Sequence, residues 1–121
     1  MVVSISDVVA AARQRIRELS PSEVQAVTKA GQVLVDVREP AEYASGHLPG
    51  AINLPRGVLE FQIHAHPAMG CTTSEALAAA DRPLVLYCLS GGRAALAVDS
   101  LQQLGFSQVS SLAGGITAWR E

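Results

Sequence analysis

Cys88 stands where an unbroken apolar run, Leu84-Val85-Leu86-Tyr87, gives way to Leu89-Ser90-Gly91-Gly92-Arg93 and then to a stretch rich in Ala and Leu. Four apolar residues without a polar interruption suit a buried strand of a parallel sheet. The stretch over 93–104 has helical spacing, and Gly105 follows as a C′ cap. A short loop with two glycines between such a strand and such a helix curls so that successive backbone N–H groups face one point. The helix N-terminus adds partial positive charge there, and Arg93 adds a full one. Cys88 thus reads as a sulfur nucleophile facing a cradle for an anion.

The elements that must position this loop are legible on both sides of it. Ile5, Val8, Val9, Ala12, Ile16 and Leu19 share one helical face, which predicts a helix over 6–19, with Arg13, Arg15 and Arg17 on a solvated basic face. This N-terminal helix, assigned to residues 1–19, is expected to pack on a domain spanning 20–121, where it covers an edge or mediates association. Ser20, Pro21 and Glu23 occupy N-cap, N1 and N3 of a second helix ending at Gly31. Strands are expected over 32–36, 51–54, 84–87 and 108–112, with a short helix from Pro40 through Tyr43. Residues 55–70 read as loop with at most one helical turn. Thr72 and Glu75 form a capping box for a helix through Ala80, and a short C-terminal helix lies near Trp119, read as a core anchor. Strands alternating with helices imply an α/β fold, a central parallel sheet with helices on both faces. Ligands of such sheets bind beyond the carboxyl ends of the strands, where both Asp36 and Cys88 fall.

The chain has 121 residues, 49% of them hydrophobic and only 4% aromatic, so a single domain with a Val, Leu, Ile and Ala core is expected. A formal charge of −2 with mixed signs gives no nucleic-acid footprint. No apolar run reaches transmembrane length and no secretory signal is read, which makes no membrane partner and a cytoplasmic location the expectations. Cys71 and Cys88 have neither zinc-ribbon nor redox spacing, and Cys71 reads as an incidental loop thiol. His64 and His66, two apart, offer a two-point metal grip without a third local ligand, so no metal is expected.

Four segments in order resemble the rhodanese family of sulfurtransferases. Residues 88–94, CLSGGRA, are similar to the active-site loop of single-domain rhodaneses, which begins with Cys and often closes with Arg. Residues 35–39 with Glu42 and Tyr43 are similar to the family's first signature, residues 46–55 to its second, and residues 112–119 to its closing motif. The resemblance implies a rhodanese-like α/β fold and a thiosulfate sulfurtransferase. It would move a sulfane sulfur from thiosulfate or a related small anionic donor to a thiol or to cyanide, through a Cys88 persulfide and with no cofactor. A sulfur-carrier or protein-interaction module, loaded or unloaded by a protein partner, is the alternative.

By the same resemblance, Leu89, Ser90, Gly91, Gly92 and Arg93 line the pocket. Arg93 either binds the donor or makes a structural bond to a carboxylate such as Asp36. The Ser90 hydroxyl either bonds the cysteine sulfur or stabilises the turn. Arg56 either adds positive potential for the donor or is a solvated surface residue. Asp36 and Arg38 are expected to pair in support of the pocket. His47 is expected to make a hydrogen bond within its loop, and Phe61 and His64 to shape the pocket mouth. Phosphatases and arsenate reductases, which also use a cysteine and an arginine on one loop, place five residues between them. Here four intervene, which makes a smaller ring suited to a sulfur atom. Mercaptopyruvate sulfurtransferases carry Thr where Arg93 stands, so thiosulfate or a persulfide is the expected donor.

Overall fold

The computed structural model describes residues 2–29, 32–63 and 83–120. In chain order its elements are α1 (Ile5–Arg13), β1 (Arg17–Leu19), α2 (Pro21–Lys29), β2 (Val33–Asp36), α3 (Pro40–Ala44), β3 (Ile52–Asn53), α4 (Leu59–Gln62), β4 (Leu84–Tyr87), α5 (Gly92–Gln103), β5 (Val109–Leu112) and α6 (Gly115–Trp119). The strands form one sheet in the order β1-β5-β4-β2-β3, every neighbouring pair parallel. The expectations for His64, His66, Cys71 and the helix from Thr72 to Ala80 fall outside the described residues.

The period-2 alternation of β4 sorts its side chains onto two cores. Leu84, Leu86 and, continuing the same face, Cys88 pack with Val35, Val98, Leu101 and Phe106. Val85 and Tyr87 point the other way, against Leu34, Leu48, Leu112 and Ile116. A strand buried on both faces has no polar position to spare, which is why its sequence reads as a continuous apolar run. Cys88 therefore leaves the strand on the α5 side, facing the start of that helix. Trp119 packs against the second core, as its reading as an anchor required.

Local sequence chemistry sets two of the helix boundaries where expected. The Ser20 hydroxyl accepts the Glu23 N–H at 3.2 Å and the Glu23 carboxylate accepts the Ser20 N–H at 2.9 Å, a reciprocal cap at the start of α2. Past the end of α5, Gly105 adopts φ +98°.

The N-terminal segment departs from the expected single helix over 6–19. The helix ends at Arg13, and Arg17–Leu19 instead forms an edge strand on β5, with Leu19 opposite Leu112. Only Leu19 of that strand is buried, so three residues with one buried position give no alternating pattern to read. The three arginines are exposed, as expected, but they do not share one helical face, since Arg13 ends the helix and Arg17 opens the strand. Arg15 grips Asp99 of α5 with Nε at 3.0 Å and Nη2 at 2.8 Å, which ties the N-terminal segment to the helix that follows Cys88. Among the described residues, no helix is long and apolar enough to cross a membrane.

Candidate active site

Cys88 is 1% exposed, and its sulfur is met by backbone N–H groups: that of Gly91 donates to Sγ at 3.1 Å and that of Ala94 at 3.4 Å. Gly91 is the N-cap of α5, at φ +115°, and Ala94 lies in the first turn. Sγ thus takes the place a capping oxygen normally fills, at the head of a 12-residue helix whose dipole favours negative charge there. The donors to sulfur are these backbone groups rather than the Ser90 hydroxyl.

A loop can turn its N–H groups inward only if its carbonyls find partners outside. The Cys88 carbonyl accepts the Ile116 N–H at 2.9 Å, and the Leu89 carbonyl accepts the Thr117 N–H at 3.1 Å. The first turn of α6 therefore holds the outer side of the loop while α5 presents donors to the inner side. The segment over 112–119 resembles the family's closing motif in sequence, but nothing in that resemblance announces it as the brace of this loop. Two adjacent glycines after a buried strand are the available signal, since Gly114 and Gly115 adopt φ +75° and +63°.

A cavity of about 530 Å³ opens over the sulfur. Cys88, Ser90, Gly92, Arg93 and Leu96 line one side, and Ile5, Ser6, Val9, Ala10 and Arg13 of α1 line the other. Gly91 is buried behind this surface and acts through its N–H. Leu89 is 46% exposed and outside the lining, with its backbone turned to α6.

The arginines expected at the pocket are engaged by carboxylates. Arg93 makes a two-pronged bond to Glu42, Nη1 to Oε1 at 2.8 Å and Nη2 to Oε2 at 3.1 Å, so its carboxylate partner is Glu42 and not Asp36. Arg56 grips Glu60 at 3.1 and 2.9 Å, and Glu60 also accepts the Ser100 hydroxyl. Arg56 is not among the described residues that line the cavity, and its bonds run to Glu60 of α4. Asp36 and Arg38 pair as expected, buried below the sheet end, through Nε at 3.0 Å and Nη2 at 2.7 Å. The same Nη2 bonds the Gly46 carbonyl at 2.7 Å, and the Tyr87 hydroxyl accepts the Leu48 N–H at 3.0 Å. Burial, with Asp36 adding to it, pushes the Tyr87 phenol well above the ordinary tyrosine range. His47 makes its loop bond, Nδ1 to the Tyr43 carbonyl at 3.1 Å, and stacks on the Tyr43 ring. Phe61 is 86% exposed and is not among the described residues that line the cavity.

The Glu42–Arg93 pair fixes a pH response. The Arg93 hydrogen bonds, followed by the Glu39 N–H, hold the Glu42 carboxyl at about 2 against an ordinary 4.5. A depressed carboxyl contributes stability that is present above its unfolded value and lost as pH falls toward the folded one. Melting curves of the wild type and Glu42→Gln should therefore differ at neutral pH and converge as pH falls from 4.5 toward about 2. The two side chains are more than a third exposed, so the difference should be small and shrink in salt.

The Rhodanese-like domain family matches residues 20–121. A protein named sulfurtransferase from Allochromatium vinosum is 38% identical over 87 residues, covering 72% of this chain and 70% of that protein. Thiosulfate sulfurtransferase GlpE from Stutzerimonas stutzeri is 34% identical over 106 residues, covering 86% and 84%. Among solved structures, a protein of unknown function from Rhodopseudomonas palustris, described as a possible tyrosine phosphatase, superposes with TM-score 0.82 at 32% identity over 99% of this chain and 91% of its own. The human single-domain sulfurtransferase TSTD1 superposes with TM-score 0.68 at 31% identity, over 85% of this chain and 94% of its own.

Proposed function

We propose, on the premise that this chain belongs to the rhodanese-like domain family, that it is a thiosulfate sulfurtransferase working through a persulfide on Cys88. The observation that carries this reading is the pair of backbone N–H groups on Sγ at the head of α5. Fixed dipoles of this kind stabilise a sulfur anion before attack and a persulfide anion after it, with no reorganisation in between.

In the first half-reaction the Cys88 thiolate attacks the outer sulfur of thiosulfate. A new S–S bond forms to Cys88, the sulfur–sulfur bond of the donor breaks, and sulfite leaves with its electron pair. In the second, a thiophilic acceptor attacks the terminal sulfur and the Cys88 thiolate leaves. With cyanide the product is thiocyanate; a thiol acceptor gives a new persulfide. Neither step needs a metal or an organic cofactor to balance. Burial of Cys88 at the floor of the cavity leaves its sulfur to be approached from the cavity side, by donor and acceptor in turn.

Phosphatase chemistry fits the site less well. The single loop arginine, Arg93, is committed to Glu42 and is not free to clamp a phosphoryl group. The four-residue interval between Cys88 and Arg93 also makes a smaller ring than the five-residue interval of those enzymes.

Rapid mixing with thiosulfate in the absence of acceptor tests the two-step route. The expected result is a burst of one sulfite per chain, then silence until cyanide is added. Sulfite release that requires the acceptor from the outset would replace the persulfide by a direct transfer.

A further inference from the structure

The cation that an anionic donor needs is absent from the residues that most resemble the family. Arg93 is bound at both prongs by Glu42, Arg56 by Glu60 and Arg38 by Asp36. Arg13, at the end of α1 and outside the segment that matches the family, is placed differently. It lines the Cys88 cavity, and its guanidinium lies against the loop itself: a Cβ at Gly91 would stand 3.0 Å from Arg13 Nη2. Its one ion-pair partner among the described residues is Glu18, reached by Nε at 3.7 Å, beyond hydrogen-bond distance. Nη1 and Nη2 therefore keep their donors for a ligand, and the Arg15–Asp99 pair next to it pins the segment in place.

We infer that Arg13 is the donor-binding cation of this active site, taking the sulfonate-like oxygens of the donor while its sulfane sulfur points at Cys88. A planar fork matches such oxygens two at a time. This deepens the sulfurtransferase reading and rests on it. It also explains why α1 belongs to the site, since the helix supplies half of the described residues that line the pocket, with Val9 and Ala10 beside Arg13 and Leu96 of α5 in the same lining.

Calorimetry on a variant that cannot turn over separates anion binding from sulfur transfer. Thiosulfate is titrated into Cys88→Ser protein carrying Arg13, Arg13→Gln or Arg13→Lys. Loss of a charge-assisted bond predicts a dissociation constant about tenfold higher for Arg13→Gln, with Lys recovering most of it. On the Cys88 enzyme, Arg13→Gln should raise KM for thiosulfate by a similar factor, with kcat little changed and KM for an uncharged dialkyl trisulfide donor unmoved. An unchanged dissociation constant, no thiosulfate binding at all, or equal loss for the charged and uncharged donors would overturn the inference. An enzyme that transfers sulfur from neither donor, yet binds thiosulfate through Arg13, would instead defeat only the sulfurtransferase reading.

Discussion

Gly115→Ala is expected to lower sulfur transfer by about 100-fold or more, the scale of losing one preorganised donor at a reacting centre. Gly115 lies outside the cavity lining, so the loss is transmitted through backbone. A Cβ at this position would lie 2.5 Å from both the Cys88 and Leu89 carbonyl oxygens and 2.6 Å from the Leu89 carbonyl carbon. Those carbonyls are the ones held by the Ile116 and Thr117 N–H groups. No rotamer can relieve a clash of main chain with Cβ, so the loop must shift, and the Gly91 and Ala94 N–H groups leave Sγ with it. The left-handed φ of +63° adds a further strain of about 1–2 kcal/mol for any L side chain. Gly105→Ala separates the two effects. Its φ is +98°, but nothing lies within 4 Å of the added Cβ, so it should lower the melting temperature and leave turnover intact. Steady-state rates and thermal melts of the two variants, side by side, check the prediction.

Asp36→Asn is expected to destabilise the fold by about 3–5 kcal/mol, the range for stranding one partner of a buried ion pair. The side chains of Asp36 and Arg38 are 0% and 4% exposed, and the carboxylate also accepts the Arg38 backbone N–H at 2.9 Å. An amide neither neutralises the guanidinium nor accepts from all of these donors. The pair sits beside Tyr87 at the end of β4, where Arg38 also holds the Gly46 carbonyl. Losing it therefore loosens the whole C-terminal edge of β2 and β4. Because neither residue lines the cavity, folded protein at low temperature should retain its KM for thiosulfate. Denaturant unfolding measures the first effect and kinetics the second.

What can be read from the sequence divides along physical lines. The Leu84–Tyr87 strand is legible because burial on both faces leaves an uninterrupted apolar run, and α5 because its spacing ends at a glycine that takes a positive φ. The placement of Cys88 under helix N–H groups follows from that strand–loop–helix order alone. The edge strand Arg17–Leu19 is not legible, because one buried side chain in three residues extends a helical stripe as well as it makes a strand. Ion-pair partners are legible only when local. Asp36 and Arg38 are two apart, whereas Arg93 meets Glu42 across 51 residues, through the approach of α3 to α5. Arg13 reads as one of three surface arginines until the helix ends before Gln14 and the fold sets it against Gly91.

Mass spectrometry of the intact chain and its peptides, after brief exposure to thiosulfate without reductant, tests the central claim most directly. The wild type should gain one sulfur atom on the peptide carrying Cys88 and lose it on addition of cyanide, while Cys88→Ser gains none. Folded wild-type protein that takes no sulfur at Cys88 from thiosulfate or from a persulfide donor, or that takes it at Cys71 instead, would contradict the account.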